Sequence, residues 1–217
     1  MIVPHHFFNQ EPLALARALI GKVLRHRVDH PDGGKVWLAA KIIETEAYYL
    51  TEKGSHSSLG WTEARRAMFM EPGTIYMYYA RGADSLNFSA RGEGNGVLIK
   101  SGIAWSDRRS PAASLKLMQA MNPVNGRARP LEKLCSGQTL LCRSLGLKVK
   151  TWNQRRLQRG LLTLEDVGDR PDELVQSQRL GIPDGRDEHL PYRFVHPAHV
   201  HQATKNPLTS DYSIVRQ

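Results

Sequence analysis

Two acids and two tyrosines lie close together in IIETEAYYL, residues 42–50, where they could take part in chemistry. The segment is typical of a β-strand, in which successive side chains alternate between two faces. Strict alternation places Glu44, Glu46 and Tyr48 on the face of the apolar stripe that ends at Ile42. A partly desolvated carboxylate is suited to be a general base, whereas two acids at a sheet edge could simply bind Lys or Arg.

Aromatic side chains near this strand could bind a planar ligand. His56 follows the strand in a loop, and the segment GTIYMYYARG is rich in tyrosine. Alternation directs Tyr76 and Tyr78 to one face and Tyr79 and Arg81 to the other. The pattern predicts a stacking surface with a protruding tip, although tyrosine is also common in strands for packing reasons alone.

Three histidines in HPAHVH offer a different chemistry, because histidine is a frequent zinc ligand. His199 and His201 are predicted to share a strand face, with His196 close by. No acidic or cysteine partner lies at a metal-binding spacing nearby, so a zinc hydrolase is only an alternative. The sequence also lacks GxxxxGK[ST], GxGxxG, GxSxG and HExxH, which disfavours ATP binding, dinucleotide binding and serine hydrolysis.

The charge balance favours a polyanionic partner. The 217 residues include 30 Lys and Arg against 21 Asp and Glu, a formal net charge of +9. This balance favours nucleic acid first and an acidic membrane surface second. Between 101 and 160 the only acids are Asp107 and Glu132, and the basic residues there could follow a phosphate backbone. This basic band comprises Arg108, Arg109, Lys116, Arg127, Arg129, Lys133, Arg143, Lys148, Lys150, Arg155, Arg156 and Arg159.

The cysteines and the N-terminus indicate a reducing compartment. Cys135 and Cys142 lie in a segment predicted to be helical, where two turns separate them by about 10 Å, too far for a disulfide. No apolar run is long enough to span a membrane. The first residues lack a basic start and a cleavage site, so we expect a cytoplasmic protein.

Hydrophobic periodicity and turn residues predict an α+β protein with a curved antiparallel sheet and flanking helices. Asn9 is the expected cap of the first helix, with Glu11 and Pro12 in its first turn. Residues 147–178 are ambiguous, and the tail from about residue 205 is expected to be flexible. We expect a single domain over residues 1–217. The other predicted elements are strands KVLRHRV and KVWLAAKIIETEAYY, strands 74–80, 85–90 and 96–100, helices 112–121 and 131–145, and a last strand in YRFVHPAHVHQ.

Taken together, these motifs resemble the alkyladenine (3-methyladenine) DNA glycosylase family. The matching pieces are LARALIGKVL, IIETEAYY, SHSSLG, AMFMEPGTIYMYY, LNFSARGEGNGVLIKSG, LCSGQTLLCRSLGL, RLGI and YRFV. The resemblance implies a mixed α/β domain with a β-hairpin that inserts into the DNA minor groove. It also implies a monofunctional enzyme without metal or cofactor, which flips damaged purines out of double-stranded DNA. A monomer is expected, cytoplasmic and nucleoid-associated, or nuclear in a eukaryote, with no membrane partner.

The resemblance also implies roles for individual residues. Glu46 matches the general base that activates water, and Leu180 matches a residue whose backbone carbonyl holds that water. Asn87 matches an asparagine that excludes normal guanine by crowding its exocyclic amine. The pocket that sandwiches the flipped base matches three rings, those of Tyr48, His56 and Tyr78.

Two positions depart from the family pattern. An aromatic wedge is expected at the hairpin tip, where Arg81 stands instead, and the shortened turn leaves Tyr79 as a second candidate wedge. Arginine can still stack through its planar guanidinium and reach a phosphate. Lys100 replaces an arginine beside the catalytic water, which keeps the charge but loses bidentate geometry.

The favoured hypothesis is a glycosylase that hydrolyses the N-glycosidic bond of alkylated or deaminated purines and so begins base excision repair. An alkylated purine is already a cationic leaving group, and damaged pairs are easier to unstack. A catalytically weak or inactive module that binds damaged DNA is the alternative. A lyase would need an amine nucleophile, for which Lys100 is the candidate.

Overall fold

A computed structural model describes residues 1–217 as one antiparallel sheet of nine strands with helices packed on it. This confirms the predicted α+β class. The strands are β1 Val23–Asp29, β2 Lys35–Tyr48, β3 Ile75–Ala80, β4 Ala83–Ser89, β5 Gly96–Ala104, β6 Leu162–Glu165, β7 Glu173–Ser177, β8 Arg193–Val195 and β9 Tyr212–Arg216. The α-helices are α1 Pro12–Leu19, α2 Ala112–Met121, α3 Gln138–Leu145 and α4 Val149–Trp152. Short 3₁₀ helices are His5–Phe8, His56–Leu59, Glu63–Phe69, Leu131–Lys133, Pro197–His199 and Pro207–Thr209.

The long strand β2 lies in the middle of the sheet. The strand order is β3-β4-β5-β2-β8-β7-β9, and β1 pairs with both β2 and β6. A large apolar core joins one face of the sheet to helices α1 and α3. No helix has the length and apolar character needed to cross a membrane.

A pair of bulges between β2 and β5 reverses the side-chain alternation of β2. The register steps from Ile42 opposite Gly102 to Glu44 opposite Ser101, and then to Thr45 opposite Ile99. Each strand therefore contributes one extra residue, which moves the following side chains to the other face.

The reversal separates the acids from the apolar stripe. Ile42 lies in the core before the bulges, and Ala47 lies in it after them. The Thr45 hydroxyl donates to the carbonyl of Ala16 in α1, so Thr45 also faces the helix side. Glu44 and Glu46 point to the opposite face, and the prediction that they continue the face of Ile42 was wrong.

Helix α1 begins as the sequence suggests but with a different cap. The Glu11 carboxylate accepts hydrogen bonds from the backbone N–H groups of Leu13, at 3.1 Å, and Ala14, at 2.6 Å. Asn9 was predicted as the cap, but it lies two residues too early, directly after the first 3₁₀ helix. Glu11 also accepts from the hydroxyl of Tyr49, which gives this tyrosine a structural role.

The predicted helix 131–145 is broken into a 3₁₀ turn and α3. Gly137, with φ +119°, caps α3 in a conformation that disfavours other residues. Cys135 lies in the break and Cys142 in α3, and both thiols are free and buried. Burial raises the pKa of Cys135 to about 12 and also raises that of Cys142, so both stay as thiols at neutral pH.

The C-terminal residues form a strand where a frayed tail was predicted. Strand β9 pairs antiparallel with β7, from Tyr212 opposite Ser177 to Arg216 opposite Glu173. The backbone N–H of Gln217 donates to the backbone carbonyl of Asp172 at 3.0 Å, which extends the pairing. The composition of this segment did not predict a strand, because β9 lies at a sheet edge with exposed side chains, including those of Tyr212 and Ile214.

Candidate active site

Glu46 lies fully buried on β2 and has a donor at each carboxylate oxygen. The Tyr48 hydroxyl donates to Oε2 at 2.7 Å, and the backbone N–H of Leu180 donates to Oε1 at 3.0 Å. The Lys100 ammonium, on β5, lies 3.3 Å from Oε2 and 3.2 Å from Oε1. Charge-assisted bonds of this kind compensate the burial of a carboxylate.

The other acid of the motif has a separate environment. Glu44 accepts from the Arg193 guanidinium at 2.6 Å and from the backbone N–H of Thr204 at 2.8 Å. Both Glu44 and Arg193 are buried, so their pairing fixes β8 and the loop after it against β2. The two glutamates thus differ: Glu44 forms a closed ion pair, and Glu46 lies next to a cavity.

A cavity of about 990 Å³ opens on this face of the sheet. Tyr48, Lys100 and Leu180 line it, so the three groups that bind Glu46 form its floor. The bulges explain this position, because they turn Glu46 and Tyr48 away from the packed helices and toward the cavity. A volume of this size accommodates a planar heterocyclic group together with part of the chain to which it is attached.

Three aromatic rings form one wall of the cavity. The ring centroids of His56 and Tyr78 are 4.4 Å apart at 67°, and Tyr76 stacks on Tyr78 at 5.6 Å. The Tyr76 hydroxyl lies 3.2 Å from His56 Nδ1 and orients that ring. Tyr76 and Tyr78 therefore share a face of β3, as predicted.

Burial keeps these groups uncharged. Burial raises the pKa of Tyr76 to about 12 and also raises the pKa of Tyr78. Burial and the nearby Glu46 carboxylate raise the pKa of Tyr48 well above its usual value, so its hydroxyl remains a donor. The pKa of His56 is lowered by burial and then by Arg65 and Arg186, which favours the neutral ring at pH 7.

Asn87 and Leu180 both line the cavity. The Asn87 side-chain NH₂ donates to the Tyr76 carbonyl at 3.1 Å, which fixes the amide across the β3–β4 pair. Leu180 contributes its backbone N–H to Glu46. The expectation for Leu180 concerned its carbonyl, and the structure adds the N–H as a second polar contact.

The hairpin of β3 and β4 ends in a two-residue turn at the cavity rim. Arg81 and Gly82 have φ values of +51° and +79°, which is the left-handed geometry of a type I′ turn. Arg81 is exposed and lines the cavity, whereas Tyr79 is 53% exposed and does not line it. Of the two candidate wedges, Arg81 is therefore nearer to the site.

The basic band is partly neutralised by ion pairs. Arg109, Lys148 and Arg156 bind Glu165, Asp84 and Glu71 respectively. Arg143 is exposed and lines the cavity, so it is the band residue nearest to the site. The predicted phosphate-binding band is therefore interrupted, and only its residues outside these ion pairs remain candidate phosphate contacts.

The C-terminal histidines do not form a metal centre. Pro197–His199 is a 3₁₀ helix, so His199 and His201 do not share a strand face as predicted. His196 Nε2 lies 3.2 Å from Asp169, which also binds Lys41. Nowhere in the structure are three or more His, Cys, Asp or Glu side chains placed so that they could hold a metal ion together. The zinc-hydrolase alternative therefore has no support.

Sequence reasoning missed Arg179, which lies behind the cavity floor. Its guanidinium is 4.5 Å from the centroid of the Tyr48 ring and forms an ion pair with Glu52. Its position directly before Leu180 in RLGI was the available signal, but a lone arginine in a loop gives no indication of burial.

Residues 6–200 match the model of the methylpurine-DNA glycosylase family. The chain belongs to this family. A Pseudomonas aeruginosa protein named "Putative 3-methyladenine DNA glycosylase" is 58% identical over 207 residues, which cover 95% of this chain and 84% of the relative. A relative of the same name from Pseudomonas syringae is 56% identical, with 95% and 91% covered. The human DNA-3-methyladenine glycosylase is 35% identical over 187 residues, 81% of this chain and 59% of the human protein.

Proposed function

We propose that this protein is a monofunctional DNA glycosylase that hydrolyses the N-glycosidic bond of alkylated or deaminated purines, with Glu46 as the general base. The observation that supports the proposal most strongly is a buried carboxylate under the floor of a cavity walled by aromatic rings. The damaged nucleotide turns out of the duplex, and its base stacks among Tyr48, His56 and Tyr78. Family membership and the names of the relatives agree with this function.

The reaction is a hydrolysis. Water attacks C1′ of the deoxyribose, the C1′–N bond breaks with its electron pair leaving on the purine, and Glu46 accepts a proton from the water. A methylated purine leaves as a neutral base because its ring already has a positive charge, whereas a deaminated purine leaves as an anion and takes up a proton from solvent. The negative carboxylate also stabilises the oxocarbenium-like sugar as it forms.

The donors on Glu46 determine how water can approach it. A carboxylate has about four lone-pair positions, and Tyr48, Leu180 and both contacts of Lys100 fill them. The Lys100 contacts are the longest, and lysine is a flexible side chain. Water therefore reaches Glu46 by displacing the Lys100 ammonium from one oxygen.

The same ion pair favours hydrolysis over lyase chemistry. To attack C1′, the Lys100 nitrogen would have to leave the Glu46 carboxylate, whose two oxygens it contacts at 3.3 and 3.2 Å. Abasic DNA is therefore the expected product, without strand cleavage. The hairpin tip with Arg81 enters the minor groove, and its guanidinium fills the gap left by the flipped nucleotide.

A base-release assay with a panel of duplexes tests the function. Separate duplexes contain 3-methyladenine, 7-methylguanine, hypoxanthine or ethenoadenine, and free base is quantified by chromatography at enzyme concentrations that permit several turnovers. We expect catalytic release of at least one alkylated base. Tight, salt-sensitive binding to all four duplexes without release would instead establish the alternative, a module that binds damaged DNA.

A further inference from the structure

Arg179 is a fully buried cation that lies against the ring of Tyr48. Its guanidinium carbon is 4.5 Å from the Tyr48 ring centroid and 5.4 Å from that of Tyr192. The side chain has no exposed surface, so both rings are held against a charge that cannot move into water. A desolvated cation on an aromatic face is a strong orienting contact.

Polar contacts fix the guanidinium in this place. Arg179 forms an ion pair with the buried Glu52, and one of its terminal nitrogens donates to the Ala47 carbonyl at 3.0 Å. Glu52 in turn accepts from the backbone N–H of Tyr49. The planar guanidinium is thus bound to β2 and to the loop after it, and it has few alternative positions.

Two donors on Glu46 depend on this arrangement. The Tyr48 hydroxyl belongs to the ring that Arg179 covers, and the Leu180 N–H belongs to the residue that follows Arg179. They bind different carboxylate oxygens, at 2.7 and 3.0 Å. A shift of Arg179 would therefore displace both donors together.

We propose that Arg179, held by Glu52, is a positioning residue for base release, because it fixes the Tyr48 ring and the Leu180 N–H around Glu46. The inference rests on the proposed function of Glu46. Arg179 does not line the cavity, so it acts through Tyr48 and Leu180 without touching the substrate. It should affect the chemical step more than the binding of damaged DNA.

The test measures single-turnover base release and lesion-duplex affinity for Arg179→Met and Arg179→Lys. We expect Arg179→Met to lower the rate tenfold or more, with little change in affinity. Arg179→Lys keeps the charge against Tyr48 and should restore part of the rate. Arg25→Met is the matched control, because Arg25 is equally buried between Asp107 and Glu165 and should lower stability without lowering the rate of the folded protein.

A double-mutant cycle separates positioning from general damage to the fold. If Arg179 acts through the Tyr48 hydroxyl, Arg179→Met combined with Tyr48→Phe should be little slower than the slower single variant. Rate losses that multiply, with no rescue by lysine, would overturn the inference. If Arg179→Met does not fold, Glu52→Gln replaces it, since it releases the guanidinium with a minimal change in volume.

Failure of this inference differs from failure of the proposed function. A wild-type rate for Arg179→Met with no release by Glu46→Gln contradicts the positioning role alone. A wild-type rate for Glu46→Gln contradicts the proposed role of Glu46, whatever Arg179 does.

Discussion

At the residue scale, the most informative feature is that each donor on Glu46 has a distinct chemical identity. Tyr48 offers a hydroxyl, Leu180 a backbone N–H and Lys100 an ammonium. Only the first and third can be altered by substitution without moving the chain. The contribution of the Tyr48 hydroxyl can therefore be isolated.

Tyr48→Phe should slow base release while it keeps the stacking ring. A hydrogen bond to a charged group is worth about 1.5–3 kcal/mol, which corresponds to roughly ten- to a hundredfold in rate. Single-turnover assays measure the loss, and Tyr76→Phe is the control because its hydroxyl contacts His56 and not Glu46. An equal loss in both variants would contradict a specific role for the Tyr48–Glu46 bond.

The low pKa of His56 predicts a pH dependence with a definite sign. Burial favours the neutral ring, so the ring becomes protonated only as the pH falls below the ordinary histidine value of about 6.5. Protonation lowers the stability of the fold in that range and places a cation beside the flipped base. Affinity for a cationic lesion such as 7-methylguanine should fall from pH 7 to pH 5.

Binding titrations of wild type and His56→Gln check this dependence. The fall should be smaller in His56→Gln, and smaller for both proteins with neutral ethenoadenine as the lesion. A pH profile that does not change on substitution of His56 would assign the effect to another group.

At the element scale, the bulges of β2 and β5 decide which face the site occupies. The sequence pattern predicted β2 as a strand, which the structure confirms, and the structure places the predicted functional end IIETEAYY beside the cavity. The reversal after Ile42 could not be predicted, because the extra residues are defined by the register of two strands distant in sequence. The same applies to β9, whose pairing with β7 is a tertiary contact.

Sequence reasoning succeeded where local pattern and chemistry coincide. Helix α2 was predicted with its observed limits, Ala112–Met121, and the three strands of the meander were found within a few residues. The rings of Tyr48, His56 and Tyr78 meet at one cavity as expected. Arg179 was missed because its partners come from loops and strands that only folding brings together.

The hairpin tip allows a prediction that separates stability from DNA binding. Arg81 adopts a left-handed conformation, which costs most residues about 1 kcal/mol, whereas Asn-Gly is favoured in type I′ turns. Arg81→Asn should therefore raise the melting temperature slightly and weaken binding to lesion duplex. If Arg81 contacts a phosphate, the plot of log affinity against log salt concentration should become shallower by about one unit of slope in Arg81→Asn.

Salt titrations and thermal unfolding measure the two effects. Arg170→Asn is a control, since Arg170 is exposed and does not line the cavity. Unchanged affinity and salt slope in Arg81→Asn would contradict a role for the hairpin tip in DNA binding.

At the scale of the whole molecule, the cavity and the C-terminal strand lie at different parts of the sheet. The cavity lies over β2 to β5, and β9 pairs with β7 as the strand at the opposite edge. Removal of residues 212–217 should lower the free energy of unfolding by on the order of 2 kcal/mol, through lost backbone pairing and partial exposure of the core near Val215.

The same truncation should leave the single-turnover rate unchanged at temperatures where the protein is folded. Chemical denaturation gives the stability, and base release at low temperature gives the rate. Lost activity in a truncated chain that is shown to be folded would mean that β9 contributes to the site, contrary to its position at the sheet edge.

The net charge of +9 should attract duplex DNA whether or not it is damaged. Binding alone therefore cannot establish the function, and only the chemistry at Glu46 distinguishes an enzyme from a binding module. Glu46→Gln is the sharpest change, because it removes the charge and the basicity and keeps the shape of the side chain.

The decisive measurement compares single-turnover base release by wild type and Glu46→Gln on a duplex that wild type is shown to process, with lesion-duplex affinity determined in parallel. We predict that Glu46→Gln binds the duplex about as tightly as wild type and releases no base above the uncatalysed rate. Release at the wild-type rate by Glu46→Gln would contradict the proposed role of Glu46.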